Sequence, residues 1–388
     1  MGKIRPLHIF SGVVGLGLAL VGILSFFYGG GHILFWSDAR IAALAQEQVT
    51  ANKVLLLTAA LDERLYKKGM LRARASEIKV LVMGSSRVLR IDGGALHADR
   101  QSFYNVGLSG ATIEDHVIVW EACKELGIMP TVVFWGLDPW IFNENSGGLR
   151  WESLDADFRR FKYSYAQAGP SLGYYLTDRS LHHFWLKVTD LLSMPRLVQA
   201  RDSLRNALAG SQSTVQRNGD VVLIDEVLLP PLATGFRIDG TTVSPSAGLA
   251  DDSREMGEAK AGKFFMFNEW HKLNGARIGL LEKLLGEMHA SGVKVVGFTL
   301  PYSPAYFAVL KENERYMRLL KQENAVLRDR FAQYKFEYID MLDPAIVQLS
   351  PEAFSNGTHL TKAGTIKALQ YLFEQMSLSE ARRVPLAS

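Results

Sequence analysis

The chain has 388 residues, of which 48% are hydrophobic and 21% are charged, with a formal net charge of +3 and a single cysteine. This length allows one large domain with insertions or two smaller ones, and the hydrophobic fraction excludes a largely disordered chain. One cysteine excludes an internal disulfide and any zinc or iron–sulfur site built from cysteines. The small net charge gives no reason to expect a nucleic-acid partner.

The first feature along the chain is an uncharged apolar stretch at residues 9–28, IFSGVVGLGLALVGILSFFY. A helix of this length crosses a bilayer core about 30 Å thick. Lys3 and Arg5 precede the stretch and Asp38 is the first charge after it, which predicts a cytoplasmic amino terminus. A cleaved signal peptide is the alternative, but aromatic residues stand where a cleavage site needs small ones. We therefore predict a cytoplasmic tip and an uncleaved inner-membrane anchor at residues 1–36, with the main domain periplasmic.

Small residues occupy one face of this anchor at helical spacing, namely Ser11, Gly15, Ala19 and Gly22. Small side chains in membrane helices allow a second helix to approach closely, which predicts a contact with a membrane partner. The alternative is that glycine is simply common in membrane helices. The sequence alone leaves both interpretations open.

The segment that follows the anchor has a helical composition. Residues 40–68 are rich in Ala, Leu, Gln and Glu and contain neither Gly nor Pro. Such a composition favours a helix. We therefore predict a juxtamembrane helix or stalk at residues 37–75.

From residue 76 onward, short apolar runs alternate with helical stretches near 113–126, 278–290 and 313–332. The runs are mostly apolar and often rich in valine, as expected of strands buried on both faces. Such alternation predicts an α/β domain at residues 76–388, with a central parallel sheet between helical layers. The predicted strands are 79–83, 102–106, 131–135, 293–299 and 336–339.

An insertion at about residues 141–273 interrupts the alternation. Its residues 181–208 are predicted to be helical and basic-amphipathic. Residues 209–262 are rich in Gly, Ser, Asp and Thr, with turns predicted at Asn218-Gly219-Asp220 and at Asp239-Gly240 between short strands. An insertion of this kind is typical of a lid or a partner surface.

Four short polar segments are candidates for chemistry, and three of them follow predicted strands, where open α/β sheets place their ligands. A serine on a strand-to-helix turn, nearby glycine amides and a late histidine are the parts of a hydroxyl nucleophile site. The segments are GSSR at 84–87, NVGLSGAT at 105–112, GLDP at 136–139 and NGTHLT at 356–361.

In this order, the four segments resemble the signature blocks of the SGNH/GDSL hydrolase superfamily. Residues 84–86 match the G-D-S block with serine in place of aspartate, and residues 105–112 match the second block closely. Residues 136–138 fall on the G-x-N block but end in aspartate. Residues 356–359 match the D-x-x-H block with asparagine in place of aspartate. The resemblance implies an SGNH-like three-layer sandwich, and it leaves the anchor and the insertion unmatched.

The resemblance also implies that Ser86 is the nucleophile, His359 the general base and Gly110 the oxyanion glycine. His359 would take the proton from Ser86 as the hydroxyl attacks an acyl carbonyl, then return it to the leaving or accepting oxygen. The amides of Ser86 and Gly110 would hold the oxyanion, and losing one such donor typically costs roughly 10²–10³ in rate. On the residues alone, Ser86 is also a candidate helix cap and His359 a candidate structural histidine. Gly107 and Gly110 are also candidates for turn glycines that bind no ligand.

Two positions depart from the family pattern. Asn356 supports an imidazolium poorly, since an Asp-to-Asn replacement behind the histidine of a serine protease costs about 10⁴ in kcat. Asp340, Asp343 or a backbone carbonyl are the alternatives for orienting the ring. Asp138 has no donor when ionised and is an oxyanion ligand only when protonated. Asp138 is therefore expected to bind sugar hydroxyls or Arg87, and we count both residues among the oxyanion or substrate-binding candidates.

The remaining histidines do not suggest a metal site. Asp115-His116 and His182-His183 have no partner at metal-ligand spacing. We interpret both pairs as helix-surface residues, and we predict neither a metal nor another cofactor.

The anchor followed by an SGNH-like domain resembles a subset of the superfamily, the DltD, AlgJ and AlgX proteins of teichoic acid alanylation and alginate acetylation. The resemblance implies a serine-dependent O-acyltransferase or acyl relay that acylates, and in the first instance acetylates, a cell-envelope polymer or exopolysaccharide. It also implies a multi-spanning membrane-bound O-acyltransferase as partner, contacted through the anchor and stalk. An esterase that uses water and a non-catalytic assembly partner are the alternatives. Candidate residues for stacking on sugar are Trp135, Trp140 and Trp151, with packing in the core as the favoured alternative for Trp135.

Overall fold

The computed structural model describes residues 6–56, 61–143, 145–148, 150–165, 180–208, 221–230, 233–243 and 253–383. Within these ranges the helices are α1 (Pro6–Tyr28), α2 (Asp38–Ala51), α3 (Glu63–Ala73), α4 (Ile113–Glu125), α5 (Asp155–Tyr165), α6 (Ser180–Leu191), α7 (Met194–Leu208), α8 (Ser253–Lys260), α9 (Gly275–Ala290), α10 (Pro304–Lys311), α11 (Glu314–Gln333) and α12 (Lys362–Arg383). The strands are β1 (Val54–Leu56), β2 (Val80–Met83), β3 (Phe103–Asn105), β4 (Val132–Gly136), β5 (Val222–Ile224), β6 (Gly235–Phe236), β7 (Thr242–Val243), β8 (Lys294–Thr299) and β9 (Glu337–Asp340).

The domain is built on a parallel five-stranded sheet, as the sequence predicts. Its strand order is β3-β2-β4-β8-β9, and every pair in it is parallel. Neighbouring residues of one strand point to opposite faces of a sheet. Leu81 accordingly belongs to a core shared with α4, α9 and α11, while Val82 belongs to a second core shared with α12. The α/β class with helices on both faces is therefore confirmed.

The order of the strands fixes where a ligand binds. Counted along the chain, the five strands stand in the order 2-1-3-4-5, so the direction of winding reverses between β2 and β4. Ligands of open α/β sheets bind beyond the carboxyl ends of the strands at such a reversal. Residues 84–87 follow β2 and residues 136–139 overlap and follow the end of β4. Two of the four candidate segments therefore lie at the reversal point.

Residues 37–75 differ from the predicted juxtamembrane helix or stalk. The segment contains α2, the strand β1 and α3, and it is integrated into the domain. Asn52 ends α2 in the left-handed region, with φ of 52°. The apolar β1 then pairs with β5 and β6 in a second, antiparallel sheet of order β5-β1-β6-β7. Tyr66 and Met70 of α3 are fully buried, so this segment contributes to the core.

The insertion also forms part of this second sheet. The predicted helix at 181–208 is two helices, α6 and α7, interrupted at residues 192–193. The turn at Asp239-Gly240 is confirmed, because it joins the paired strands β6 and β7. The turn predicted at Asn218-Gly219-Asp220 lies outside the described residues.

The amino-terminal helix α1 is long and apolar enough to cross a membrane over Ser11–Tyr28, with a mean hydropathy of 2.0. Only 6% of that stretch is buried within the chain, which leaves its apolar side chains open. Gly12, Gly15 and Gly17 have open space around them. Gly22 approaches Leu192 of the insertion, so one end of the small-residue face already contacts this chain.

Candidate active site

The structure brings the candidate residues from distant parts of the chain into one cavity of about 630 Å³. This cavity lies beyond the carboxyl ends of β2 and β4, where the winding of the sheet reverses. The candidate residues that line it are Ser86, Arg87, Gly110, Asn356 and His359.

The Ser86 hydroxyl contacts the ring of His359. Ser86 Oγ lies 2.9 Å from His359 Nε2, within hydrogen-bond distance. The alternative of Ser86 as a helix cap does not hold, because the neighbouring Ser85 caps the short helix Ser86–Val88 by accepting from the Arg87 amide at 3.2 Å. The Ser86 hydroxyl is thus left to the imidazole, as a serine nucleophile requires.

Asn356 stands behind the ring. Its Oδ1 lies 3.0 Å from His359 Nδ1, and Thr358 Oγ1 lies 3.1 Å from the same nitrogen. Asp340 instead bonds Thr299 and Asn324, and Asp343 pairs with Lys311. Among the alternatives that the sequence left open, the structure therefore places Asn356 behind the histidine.

The orientation of the Asn356 amide is fixed by backbone donors. The backbone N–H groups of Thr358 and His359 both donate to Asn356 Oδ1, at 3.0 and 2.8 Å. Because those donors require an acceptor, the oxygen and not the amide nitrogen faces the ring. Nδ1 then carries the proton, and Nε2 is left to accept from Ser86. In a serine protease, the Asp-to-Asn replacement lowers kcat because the histidine then adopts the wrong tautomer. The orientation of the Asn356 amide avoids that tautomer here.

The His359 ring is neutral at physiological pH. Burial, together with the positive charges of Arg87 and Arg90, lowers the pKa of His359 to about 4. An aspartate behind the ring would raise the pKa of the histidine and so oppose these effects, whereas the uncharged asparagine does not. A neutral imidazole is the form that accepts a proton from a serine.

Two backbone amides are available for an oxyanion. The N–H groups of Ser86 and Gly110 have no acceptor among the described residues, and both residues line the cavity. Gly110 adopts φ of 60°, a left-handed conformation that favours glycine. The buried Asn105 joins the two loops, since its Nδ2 donates to the carbonyls of Val88 and Ile91 and its Oδ1 accepts from Gly107.

Arg87 and Asp138 form a buried pair beside the nucleophile. Arg87 Nη1 lies 3.4 Å from Asp138 Oδ1. Its side chain also donates to the backbone carbonyls of Leu300, Pro301 and Thr358. Of the two partners expected for Asp138, the structure thus supplies Arg87.

The Asp138 carboxyl is shifted toward its neutral form. Burial raises the pKa of Asp138 to about 6, although the charge of Arg87 and hydrogen bonds from Ser85 and Arg87 lower it in part. Above that pH the group is ionised and only accepts hydrogen bonds, so it supports Arg87 and not an oxyanion.

The prediction that Asp115 and His116 lie on a helix surface is wrong. Both are 1% exposed, because α4 is buried on every side. Asp115 pairs with Arg64 at 2.7 Å, and His116 accepts from the indole N–H of Trp135 at 3.1 Å. The side chain of His182, by contrast, is half-exposed, and its Nδ1 lies 2.5 Å from Glu152 Oε2.

The insertion, predicted to be a lid or a partner surface, supplies much of the cavity wall, although the sequence did not mark the individual residues. Phe265 is 52% exposed and packs edge-on against Trp140, with ring centroids 5.3 Å apart. The three tryptophans proposed for sugar stacking are all buried, and among them Trp140 lines the cavity. Glu255 of α8 accepts from the amide of Gly357, which ties the insertion to the histidine loop. Other insertion residues that line the cavity are Arg150, Glu258, Lys263, Phe264 and Met266.

A scan against protein-family models and a search of curated proteins both find no match for this chain. What the chain can do chemically therefore follows from its own geometry. That geometry is a serine hydroxyl on a neutral histidine, an amide oxygen behind the ring and two backbone amides at one cavity.

Proposed function

We propose that the protein is a membrane-anchored SGNH-like O-acyltransferase or acyl relay whose domain lies outside the cytoplasm. It acylates a cell-envelope polymer or exopolysaccharide, with acetyl as the first group to test, and it works beside a multi-spanning membrane-bound O-acyltransferase. The observation that carries the proposal is the 2.9 Å contact between Ser86 Oγ and His359 Nε2, with Asn356 behind the ring.

In the first half-reaction, Ser86 Oγ attacks the carbonyl carbon of an acyl donor while its proton passes to His359 Nε2. The carbonyl oxygen becomes an oxyanion, which the amides of Ser86 and Gly110 stabilise. When the carbonyl re-forms, the bond to the leaving group breaks. His359 returns its proton to that group, and an acyl ester remains on Ser86.

The second half-reaction reverses these steps with a sugar hydroxyl as nucleophile. The hydroxyl gives its proton to His359 Nε2 and attacks the Ser86 ester, through a second oxyanion at the same amides. Collapse of this intermediate breaks the Ser86 ester bond and returns the proton to Ser86 Oγ. The products are the acylated sugar and the free enzyme.

Two features support transfer to a sugar over hydrolysis. Phe265 presents an exposed ring at the cavity, and aromatic rings are suitable surfaces for a pyranose. Arg150, Lys263, Glu255 and Glu258 line the same cavity, so donors and acceptors for sugar hydroxyls surround the nucleophile.

The test uses the full-length protein in detergent, with p-nitrophenyl acetate as donor and an oligosaccharide as acceptor. Acetylated oligosaccharide with wild type, and none with Ser86→Ala, is the expected result. A Ser291→Ala control, at the exposed end of α9, should behave like wild type. Free acetate with no acetylated sugar would indicate the esterase instead. Wild type and Ser86→Ala that are equally inert would contradict both and leave the non-catalytic assembly partner.

A further inference from the structure

A pair of helices from the insertion packs against the end of the apolar anchor. This α6–α7 pair covers residues 180–208, and both helices contact α1. A side chain added at Gly29 would lie 2.9 Å from the carbonyl of Arg196, so the backbones meet closely there. The Arg196 guanidinium also donates to the Gly29 carbonyl, and the Phe184 ring lies 6.5 Å from that of Phe35. The pair is thus attached to the last turns of α1 and to the segment that follows it.

On the outer surface of the pair, the most exposed residues are uncharged over a stretch of 18 residues. Nine residues between 181 and 198 are exposed, and eight of them are apolar. A water-facing surface of a helix pair normally presents charged and polar side chains. The nine are Leu181, Phe184, Trp185, Leu186, Thr189, Leu192, Met194, Pro195 and Val198.

The charged residues of the same stretch, Lys187, Asp190 and Arg196, are each partly or fully buried. Arg196 is 3% exposed and pairs with Asp190 at 2.7 Å, while His182 contacts the buried Glu152. Exposed charges begin only beyond this surface, at Arg201 and Asp202. The apolar surface is therefore bounded along α7 by a polar end.

This surface is continuous with the lipid-facing side of the anchor. Of the 21 large apolar side chains that are exposed in the described part of the chain, 15 lie on α1, on the segment after it or on the α6–α7 pair. An apolar patch of this kind on a soluble domain marks an interaction site. Because α1 leads directly into the patch, the medium that surrounds α1 also reaches the pair.

We propose that the α6–α7 pair is a second membrane contact, which lies in the outer interface of the bilayer that α1 crosses. The longer helix, α7, has 15 residues and is about 22 Å long, too short to span a core of about 30 Å. It packs beside the last turns of α1, at the depth of the headgroup boundary. An in-plane position buries the apolar face and leaves Arg201 in water, and Trp185 is a residue type enriched at that boundary.

This contact holds the active-site cavity close to the membrane. His182 of α6 bonds to Glu152 in the short helix Arg150–Leu154, and Arg150 of that helix lines the cavity. One helical turn therefore connects the lipid-facing surface to the wall around Ser86. The membrane contact does not depend on the chemistry at Ser86, so the two proposals are tested separately.

The test measures the environment of single introduced cysteines in the full-length protein. The only native cysteine, Cys123, is buried, so spin labels go to the introduced site. The variants Leu181→Cys and Trp185→Cys report on the surface, Leu16→Cys reports on the anchor, and Arg254→Cys, 88% exposed, is the aqueous control. Each is labelled in nanodiscs of phosphatidylethanolamine and phosphatidylglycerol. Paramagnetic relaxation by oxygen and by a water-soluble nickel chelate is then compared.

Oxygen access with nickel exclusion at positions 181 and 185, as at position 16, is the expected result. Position 254 should show the opposite. Nickel access at 181 and 185 equal to that at 254 would overturn the proposal. Labels at 181 and 185 that neither reagent reaches would also overturn it, because a protein and not lipid would then cover the surface. Nickel access at position 16 would exclude the anchor and the second contact together.

Discussion

Arg87 Nε donates a hydrogen bond to the backbone carbonyl of Thr358, 3.1 Å away. Arg87, which follows the proposed nucleophile Ser86 in the chain, thus binds Thr358, which precedes the proposed base His359. The same guanidinium binds the carbonyls of Leu300 and Pro301 beyond β8, so it joins three loops at the carboxyl edge of the sheet. Arg87 therefore helps to hold Ser86 and His359 at contact distance, together with Arg90, which bonds Ser355 and the carbonyl of Leu360.

Replacement of Arg87 by lysine should therefore lower stability. Lysine cannot reproduce the planar fork, and buried carbonyls left without a donor cost about 1–3 kcal/mol each. We expect Arg87→Lys to reduce the free energy of unfolding by about 2–4 kcal/mol, measured by urea denaturation. The control Arg201→Lys replaces an exposed arginine and should change it by less than about 0.5 kcal/mol. Equal stability of Arg87→Lys and wild type would contradict this assignment.

Asn356→Asp tests the pH dependence of the base. His359 is neutral because its pKa lies near 4, so kcat/KM of wild type should fall only as pH approaches that value. A carboxylate 3.0 Å from Nδ1 favours the imidazolium, which raises the pKa and moves the acid limb to higher pH. The plateau value of kcat/KM at higher pH should also rise, because the carboxylate stabilises the imidazolium that forms in the transition state.

The measurement is kcat/KM with p-nitrophenyl acetate from pH 4 to pH 8. Asn313→Asp, at the N-cap of α11, adds the same charge elsewhere and should leave the profile unchanged. An acid limb that stays in place in Asn356→Asp, or moves to lower pH, would show that Asn356 does not act on the base.

Phe265→Ala tests whether the exposed ring binds the acceptor. Loss of the ring should raise KM for an oligosaccharide acceptor about 2- to 10-fold. This range corresponds to the roughly 0.5–1.5 kcal/mol that an aromatic contact contributes. The rate with p-nitrophenyl acetate alone should not change, because Phe265 takes no part in the first half-reaction. Phe265→Trp should retain acceptor binding. An unchanged acceptor KM in Phe265→Ala would place the sugar elsewhere in the cavity.

The sequence predicts the parallel sheet well because buried strands have a local signature. The five strands lie within about two residues of the apolar runs from which they were predicted. The second sheet is different, since β6 and β7 have two residues each and β1 pairs with Leu223 and Phe236, far along the chain. Strands this short carry no periodicity.

The candidate site, like the fold, was predictable from the sequence only where local motifs mark its residues. Ser86, Asn356 and His359 follow from the order of the motifs, and the structure brings them into contact. The burial of Asp115 and His116 was not predictable, because α4 is covered on all sides and shows no polar face. Phe265 reaches the cavity only through tertiary packing of the insertion, and no local motif marks it.

If Ser86 carries the acyl group during turnover, intact-protein mass spectrometry will detect it there. Full-length protein is mixed with p-nitrophenyl acetate, acid-quenched within the first turnover and weighed, and the modified residue is located by peptide fragmentation. We predict one acetyl group per chain, on Ser86, with no adduct in Ser86→Ala and the wild-type adduct in Ser291→Ala. An acetyl group on another residue, or an equal adduct in Ser86→Ala, would contradict the account.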